Sequence, residues 1–325
     1  MKRLFIAGLC IAFVNGVFAQ PKVSDPEKLG FNKTTIKQAD AVIEKYLDDK
    51  LFPGAVALVA RKGELVYFKS FGMQDIDKGQ EMRQNSLFRI ASMTKPITAV
   101  AFLKLWEEGK VKLDDPVTKY LPSFGKLKVR QPDGSSVAPD TPLTLRHFFT
   151  QSTGLPPLGS SELENVDRSK ISTLEEYVDS FLNLPLMHQP DKSFTYSVNM
   201  DVIGRIVEIV SGQPFEDYIK QNIFDPLGME NTSYFVPEEK LSRFSSIYKP
   251  ENGTLKFLAG PTTNPNRFIR ASGGLVSSAY DYFLFAQMLL NKGELNGKRI
   301  LKKETVEMMV TDILPSAIYP LTVMG

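Results

Sequence analysis

The 325-residue chain has one cysteine, two histidines and one tryptophan. Each scarcity excludes a chemistry. The cysteine, Cys10, lies in an N-terminal segment expected to be removed. What remains has no disulfide, no thiol nucleophile and no cysteine metal site. His147 and His188 form no H-x-x-x-H pair, which argues against a zinc enzyme. Low-complexity tracts and internal repeats are absent. So is an excess of one charge: 39 Lys and Arg face 37 Asp and Glu. Nothing in that balance draws the protein to nucleic acid or an anionic membrane.

Long apolar runs are also lacking. Leu4 to Val14 follows the basic pair Lys2-Arg3 but is too short to span a bilayer, which needs about 20 apolar residues. Val17-Phe18-Ala19 places small residues at −3 and −1 before Gln20. The pattern reads as a secretory signal peptide over residues 1–19, cleaved after Ala19. Leu9 stands where a lipoprotein cleavage site needs a small residue, so Cys10 is not read as a lipid anchor. Cleavage removes Lys2 and Arg3 and no acid, leaving the charges balanced. A secreted or periplasmic location is expected, without membrane attachment.

Present instead is an ordinary globular composition, 42% hydrophobic and 23% charged, over a length that can bury a large core. Helical spacing of Ile36, Ala39, Val42, Ile43 and Leu47 predicts an amphipathic helix over 33–50. Gly54–Ala60 and Leu65–Phe71 flank Arg61-Lys-Gly-Glu64 and predict a β-hairpin placed centrally in a sheet. Residues 93–109 are apolar almost all round and predict a buried helix. Residues 115–142 read as an extended excursion turning at Pro132-Asp133-Gly134. Ser172-Thr-Leu-Glu175 reads as a capping box for a helix to about Asn183. Further helices are predicted over 199–211 with Gly212 as cap, from Pro214 to before Pro226, over 278–291 and over 303–311. A strand is expected at Gly274–Ser277. One hairpin is few strands for so many helices, so sheet strands are expected either within the irregular stretches or outside the given sequence.

The sharpest chemical signal is Arg89-Ile-Ala-Ser-Met-Thr-Lys-Pro96. Ser92 and Lys95, three apart, share one face of a helix. Pro96 fits only the first helical turn, so the helix begins near Ser92. There the serine hydroxyl sits at the positive end of the helix dipole, which stabilises an oxyanion. A serine needs a base to take its proton, and a desolvated lysine serves as one. Alone, Ser-x-x-Lys recurs by chance in many helices. After a hairpin and before a buried helix it is specific. Phe194-Thr-Tyr-Ser-Val-Asn199 supplies Tyr196, a candidate proton shuttle to a leaving group.

Ser92-x-x-Lys95 followed about a hundred residues later by Tyr196 resembles the serine β-lactamase and penicillin-binding-protein superfamily, above all class C β-lactamases and family VIII carboxylesterases. Leu113–Pro122, Leu145–Leu155, Asp225–Met229, Ser272–Ser277 and Phe285–Lys298 carry the resemblance further, from about residue 35 to the end. It implies a β-lactamase/transpeptidase-like α/β (α+β sandwich) fold with an antiparallel sheet flanked by helices. An α/β lobe from about 30–110 and 270–325 would hold a mainly helical lobe inserted at about 111–269. It also implies Ser92 as acylated nucleophile, Lys95 as base, Tyr196 as shuttle, and an oxyanion hole of two backbone N–H groups, one from Ser92. Asn199, Gly273 and Gly274 are candidate substrate-binding residues. No cofactor and no metal is implied.

Three departures bear on function. Many relatives read Tyr-x-Asn, but Val198 stands two after Tyr196 and Asn199 comes one later. Gln151 replaces the usual histidine of the Leu145–Leu155 segment, a change read as structural. No Lys-Thr-Gly, His-x-Gly or Trp-Gly-Gly follows Ser272–Ser277. The family's third motif is therefore expected beyond residue 325, and the chain as given is expected to be weakly active and poorly stable, since losing one oxyanion donor costs about a hundred- to a thousandfold in rate. Ester hydrolysis is the preferred activity, on a small-molecule ester. A D-amino-acid peptidase or β-lactamase acting on a peptide or β-lactam stays open, as does acyl transfer. So does a non-catalytic peptidoglycan- or peptide-binding protein, or an inactive fragment. His147, His188, Asp114 and Asp115 are read as structural.

Overall fold

The computed structural model describes residues 21–264 and 268–319. The segment read as a signal peptide lies outside them. Helix α1 (Lys33–Asp48) starts at Asn32, whose side chain accepts from the Thr34 N–H at 2.7 Å. Strands β1 (Gly54–Arg61) and β2 (Glu64–Asp75) form the expected antiparallel hairpin, turning at Lys62-Gly63 with both residues at positive φ. Its place differs from expectation. β2 is the central strand, flanked by β1 and the short β3 (Gln80–Glu81), and β1 is an edge among the described residues. Alternating apolar and small residues in β1 bury only partly, whereas Leu65 to Phe68 of β2 are buried.

Strand β4 (Leu87–Arg89) leads through a 3-10 turn (Ala91–Met93) into helix α2 (Thr94–Glu107). Ile97, Val100, Ala101, Phe102 and Leu105 of α2 are fully buried. Each such large side chain contributes about 1.5–3 kcal/mol through burial, so this helix anchors the core. Around it pack α3 (Leu145–Phe149), α4 (Leu174–Ser180), α5 (Asn199–Ser211) and α6 (Phe215–Ile219), joined in one continuous apolar cluster. α4 starts one residue later than predicted. Thr173 and Glu176 make the capping box, because the Glu176 carboxylate reaches back to the Ser172 and Thr173 N–H groups. The helix expected to stop before Pro226 instead continues through a π turn (Lys220–Phe224) into Asp225–Leu227, where the proline occupies a first-turn position that needs no N–H.

A second hairpin, β5 (Ile247–Glu251) with β6 (Thr254–Ala259), was not legible in the sequence. Its strands are largely exposed, and their apolar residues Ile247, Phe257 and Leu258 do not alternate with polar ones in a core-facing pattern. β7 (Val276–Ser278) pairs antiparallel with β4, Leu87 facing Ser278 and Arg89 facing Val276. β7 runs straight into α7 (Ala279–Leu290), capped by the Ser278 hydroxyl, and α8 (Lys303–Met309) follows. The β4–β7 pair holds residues 271–275 beside the start of α2. Among the described residues no helix is long and apolar enough to cross a membrane, and no three acidic, histidine or cysteine side chains cluster as a metal site.

Candidate active site

Pro96 falls at the third position of α2, as its missing N–H requires, so Ser92 sits in the tight turn that opens the buried helix. Ala91, just before it, is held at φ +44°, a strained conformation for a residue with a Cβ. Ser92 is exposed and Lys95 half-buried. Lys95 Nζ lies 3.1 Å from Ser92 Oγ and donates to the Ser272 carbonyl at 2.7 Å. The Tyr196 ring centroid is 4.8 Å from the same Nζ. Partial burial pushes the Tyr196 phenol up. Hydrogen bonding to Lys95 and Ser92, with the lysine's charge, outweighs it and leaves the phenol below the ordinary tyrosine value. The fold thus gathers Ser92, Lys95 and Tyr196 from two helix entries.

Asn199 is placed differently from expectation. It is fully buried, its Oδ1 accepting from Thr153 and its Nδ2 donating to Gln151, each at 2.8 Å. Both amide atoms are committed inside the protein, so Asn199 is not a substrate ligand in this arrangement. Asn199 opens α5, three residues after Tyr196, and its amide is turned toward Thr153 and Gln151. Gly274 is buried too. A Cβ there would lie 2.8 Å from the Tyr234 ring and 3.0 Å from the Arg270 carbonyl, so its glycine serves packing against Tyr234 rather than the cleft floor. Gly273 borders the site: a Cβ on it would stand 3.7 Å from the Ala91 carbonyl carbon. A cleft of about 540 Å³ lined by Phe68, Met82, Arg83, Arg243 and Tyr280 lies at the far end of the β4–β7 pair, where Leu87 meets Ser278.

Gln151 carries more of the site than its sequence context indicated. Held at φ +56°, its carbonyl accepts from Thr195 N–H at 2.7 Å and its side-chain Oε1 from Ser197 N–H at 2.9 Å. It brackets Tyr196 on both sides. The Tyr196 carbonyl in turn accepts from Leu158 N–H at 2.9 Å. Gln151→Ala orphans the buried Ser197 N–H and the Asn199 amide, so a loss of about 2 kcal/mol is expected, read as a lower denaturant midpoint. A midpoint equal to wild type would show that the loop holds itself. His147 takes the structural role expected, accepting the Thr144 N–H at 2.9 Å and meeting Asp191 at 3.0 Å. His188 bonds Thr195 at 2.8 Å. Asp114 pairs in two contacts with Arg146, and Asp115 braces Lys112 N–H and Tyr120. Ser272 and Asp201 join the site through partners far away in sequence, which no local pattern signals.

These elements compose the β-lactamase/transpeptidase-like fold, in which a buried helix presents a serine and a lysine beside an antiparallel sheet. The family model described as Beta-lactamase matches residues 39–320, and the chain belongs to that family of serine β-lactamase-fold hydrolases. Protein Rv1367c of Mycobacterium tuberculosis (strain ATCC 25618 / H37Rv) is 33% identical over 286 residues, covering 84% of this chain and 71% of that protein. Esterase EstB of Burkholderia gladioli is 35% identical over 237 residues, 69% of this chain and 57% of its own length. Among solved structures, "EstCE1, a hydrolase with promiscuous acyltransferase activity" superposes with a TM-score of 0.72 at 23% identity, covering 84% of this chain and 76% of that one. The last likeness concerns the fold alone.

Proposed function

We propose that the protein is a serine acyl hydrolase that cleaves small-molecule esters through an acyl-enzyme on Ser92. The observation that carries this reading is the Lys95 Nζ contact, 3.1 Å from Ser92 Oγ, at the start of a buried helix with Tyr196 across the pair. In the proposed reaction Lys95, as the neutral amine, takes the Ser92 proton while Oγ bonds to the ester carbonyl carbon. The carbonyl electron pair moves onto oxygen, close to the Ser92 N–H and the positive end of α2. Collapse breaks the ester C–O bond, and the alkoxide leaves with a proton passed from the Lys95 ammonium through the Tyr196 phenol. Water then attacks the acyl group, gives up a proton to the same pair, and releases the acid as Ser92 regains its own.

The burial of Asn199 favours an ester over an amide substrate. Its amide is the group that would have held a substrate amide, and both its polar atoms are bonded to Thr153 and Gln151. The similarity to Esterase EstB points the same way. Secretion is proposed from the N-terminal pattern.

Covalent labelling tests the reading in a single turnover, so it does not depend on deacylation. The purified protein is incubated separately with a fluorophosphonate and a penicillin, and intact mass is measured beside Ser92→Ala. One fluorophosphonate adduct, absent from the variant and without a penicillin adduct, is the expected result. A penicillin adduct would move the reading to a β-lactam-recognising protein. No adduct on the folded protein would move the reading to a non-catalytic binding protein or an inactive fragment. Tyr196→Phe is expected to turn over a small alkyl ester, whose alkoxide must be protonated as it leaves, about a hundredfold more slowly, the usual contribution of one proton-transfer group. With 37% of the tyrosine exposed, the melting temperature should hardly move. Ester turnover at the wild-type rate would remove Tyr196 from the scheme.

A further inference from the structure

Behind the Ser92–Lys95 pair lies a carboxyl that the scheme above leaves unused. Asp201 stands in the first turn of α5 and is fully buried. Its Oδ1 accepts the Ser272 N–H at 2.9 Å, and its Oδ2 accepts the Ser272 hydroxyl at 2.5 Å. The carbonyl of that same residue accepts from Lys95 Nζ at 2.7 Å. Four groups therefore run in line: the Asp201 carboxyl, the Ser272 peptide, the Lys95 amine and the Ser92 hydroxyl.

We infer that Asp201 is a positioning residue for Lys95, acting through Ser272. This rests on the reading of Lys95 as the base. Asp201 grips both donors of Ser272 and so fixes the direction of its carbonyl. That carbonyl only accepts. When Lys95 is neutral, one of its two N–H groups must point at the carbonyl, which leaves the lone pair to face Ser92. A lysine on a flexible four-carbon stem has no such preference by itself. A displacement of 1 Å at a reacting group costs about a hundredfold in rate, so a fixed carbonyl matters.

Two further contacts tie the same segment down. Thr98 of α2 donates to the Ala271 carbonyl at 2.6 Å, and Thr94 accepts the Leu275 N–H at 3.3 Å. Residues 271–275 are thus stitched between the helix that carries Ser92 and the helix that follows Tyr196. Stability alone gives little reason for a carboxyl here, since apolar residues fill buried polar sites at least as well. Burial raises the Asp201 carboxyl above its ordinary range, against the pull of the Ser272 bonds and the charges of Arg270 and Lys95. The phenols of Tyr177 and Tyr234 also feel its charge.

The test is the rate of fluorophosphonate labelling across pH in Asp201→Ala, Asp201→Asn and Ser272→Ala, each checked for a cooperative melt. Asn preserves shape and the acceptor for the Ser272 N–H, so its plateau rate is expected within about threefold of wild type. Ala is expected to label about ten- to a hundredfold more slowly. Its pH profile should also differ from wild type, because the Asp201 carboxyl, which burial holds above its ordinary range, is no longer there to titrate. A purely structural defect lowers the rate alike at every pH. If Asp201→Ala does not fold, Ser272→Ala carries the test: it removes one arm of the clamp, and a fall of about threefold is expected. A wild-type rate and profile in Asp201→Ala, or in Ser272→Ala where that carries the test, would overturn the inference. So would Asn falling as far as Ala. Absence of labelling in the wild type would instead overturn the Ser92 reading, and this inference with it.

Discussion

Lys95→Ala is expected to slow acylation of Ser92 by about a thousandfold while the melting temperature stays close to wild type. The rate should fall because Lys95 is the base of the proposed scheme and supplies the proton that Tyr196 passes on. The lysine amine is 3.1 Å from Ser92 Oγ, and His147 and His188 are bonded instead to Thr144, Asp191, Gln189 and Thr195. Stability should hold because removing a half-buried cation also removes its desolvation cost. What is left unpaired is the Ser272 carbonyl, beside an exposed serine where water can enter. Lys95→Arg separates the two roles of a cation. It keeps the charge, but a guanidinium stays protonated at any working pH. Arg is therefore expected to label as slowly as Ala. An Arg variant with most of the wild-type rate would mean that Lys95 acts by charge and that the proton goes elsewhere. Progress curves with a fluorophosphonate measure both.

Gly204→Ala should destabilise the protein by about 2 kcal/mol, although it improves helix propensity. On an isolated helix the change would gain about 1 kcal/mol. Here the added Cβ would stand 2.3 Å from the Ala271 Cβ and 3.3 Å from Leu174 Cδ2, closer than packed atoms allow. Gly204 lies one turn beyond Asp201 on α5, so relief requires moving α5 away from residues 271–272, the step that also loosens Ser272. Lower stability and slower Ser92 labelling are expected together. Denaturant melts and labelling rates on the same sample check both, and a stabilised variant with normal labelling would show that α5 does not press on this segment.

The reach of the sequence is clearest at Ser92, Lys95 and Pro96. A three-residue spacing, a proline that tolerates only the first helical turn and a run of apolar residues are all local, and local geometry follows from them. The same holds for α1, the β1–β2 hairpin and the Gly212 cap of α5, where side-chain period or a positive φ decides. Asn199 fails for the opposite reason. Its side chain points into the protein, and only its partners Thr153 and Gln151, more than forty residues upstream, show where it went. The exposed β5–β6 hairpin left no pattern because neither face packs on the core.

By itself, then, the sequence determined the family, the helix that carries Ser92 and Lys95, and the residue types available for chemistry. Tertiary structure alone decided that Tyr196 meets Lys95, that Gln151 brackets the tyrosine, and that Asp201 grips Ser272. Those contacts join residues from tens of positions to about a hundred positions apart. Burial of α2 and α5 against one another sets them, and no local propensity encodes which distant backbone carbonyl a lysine will find.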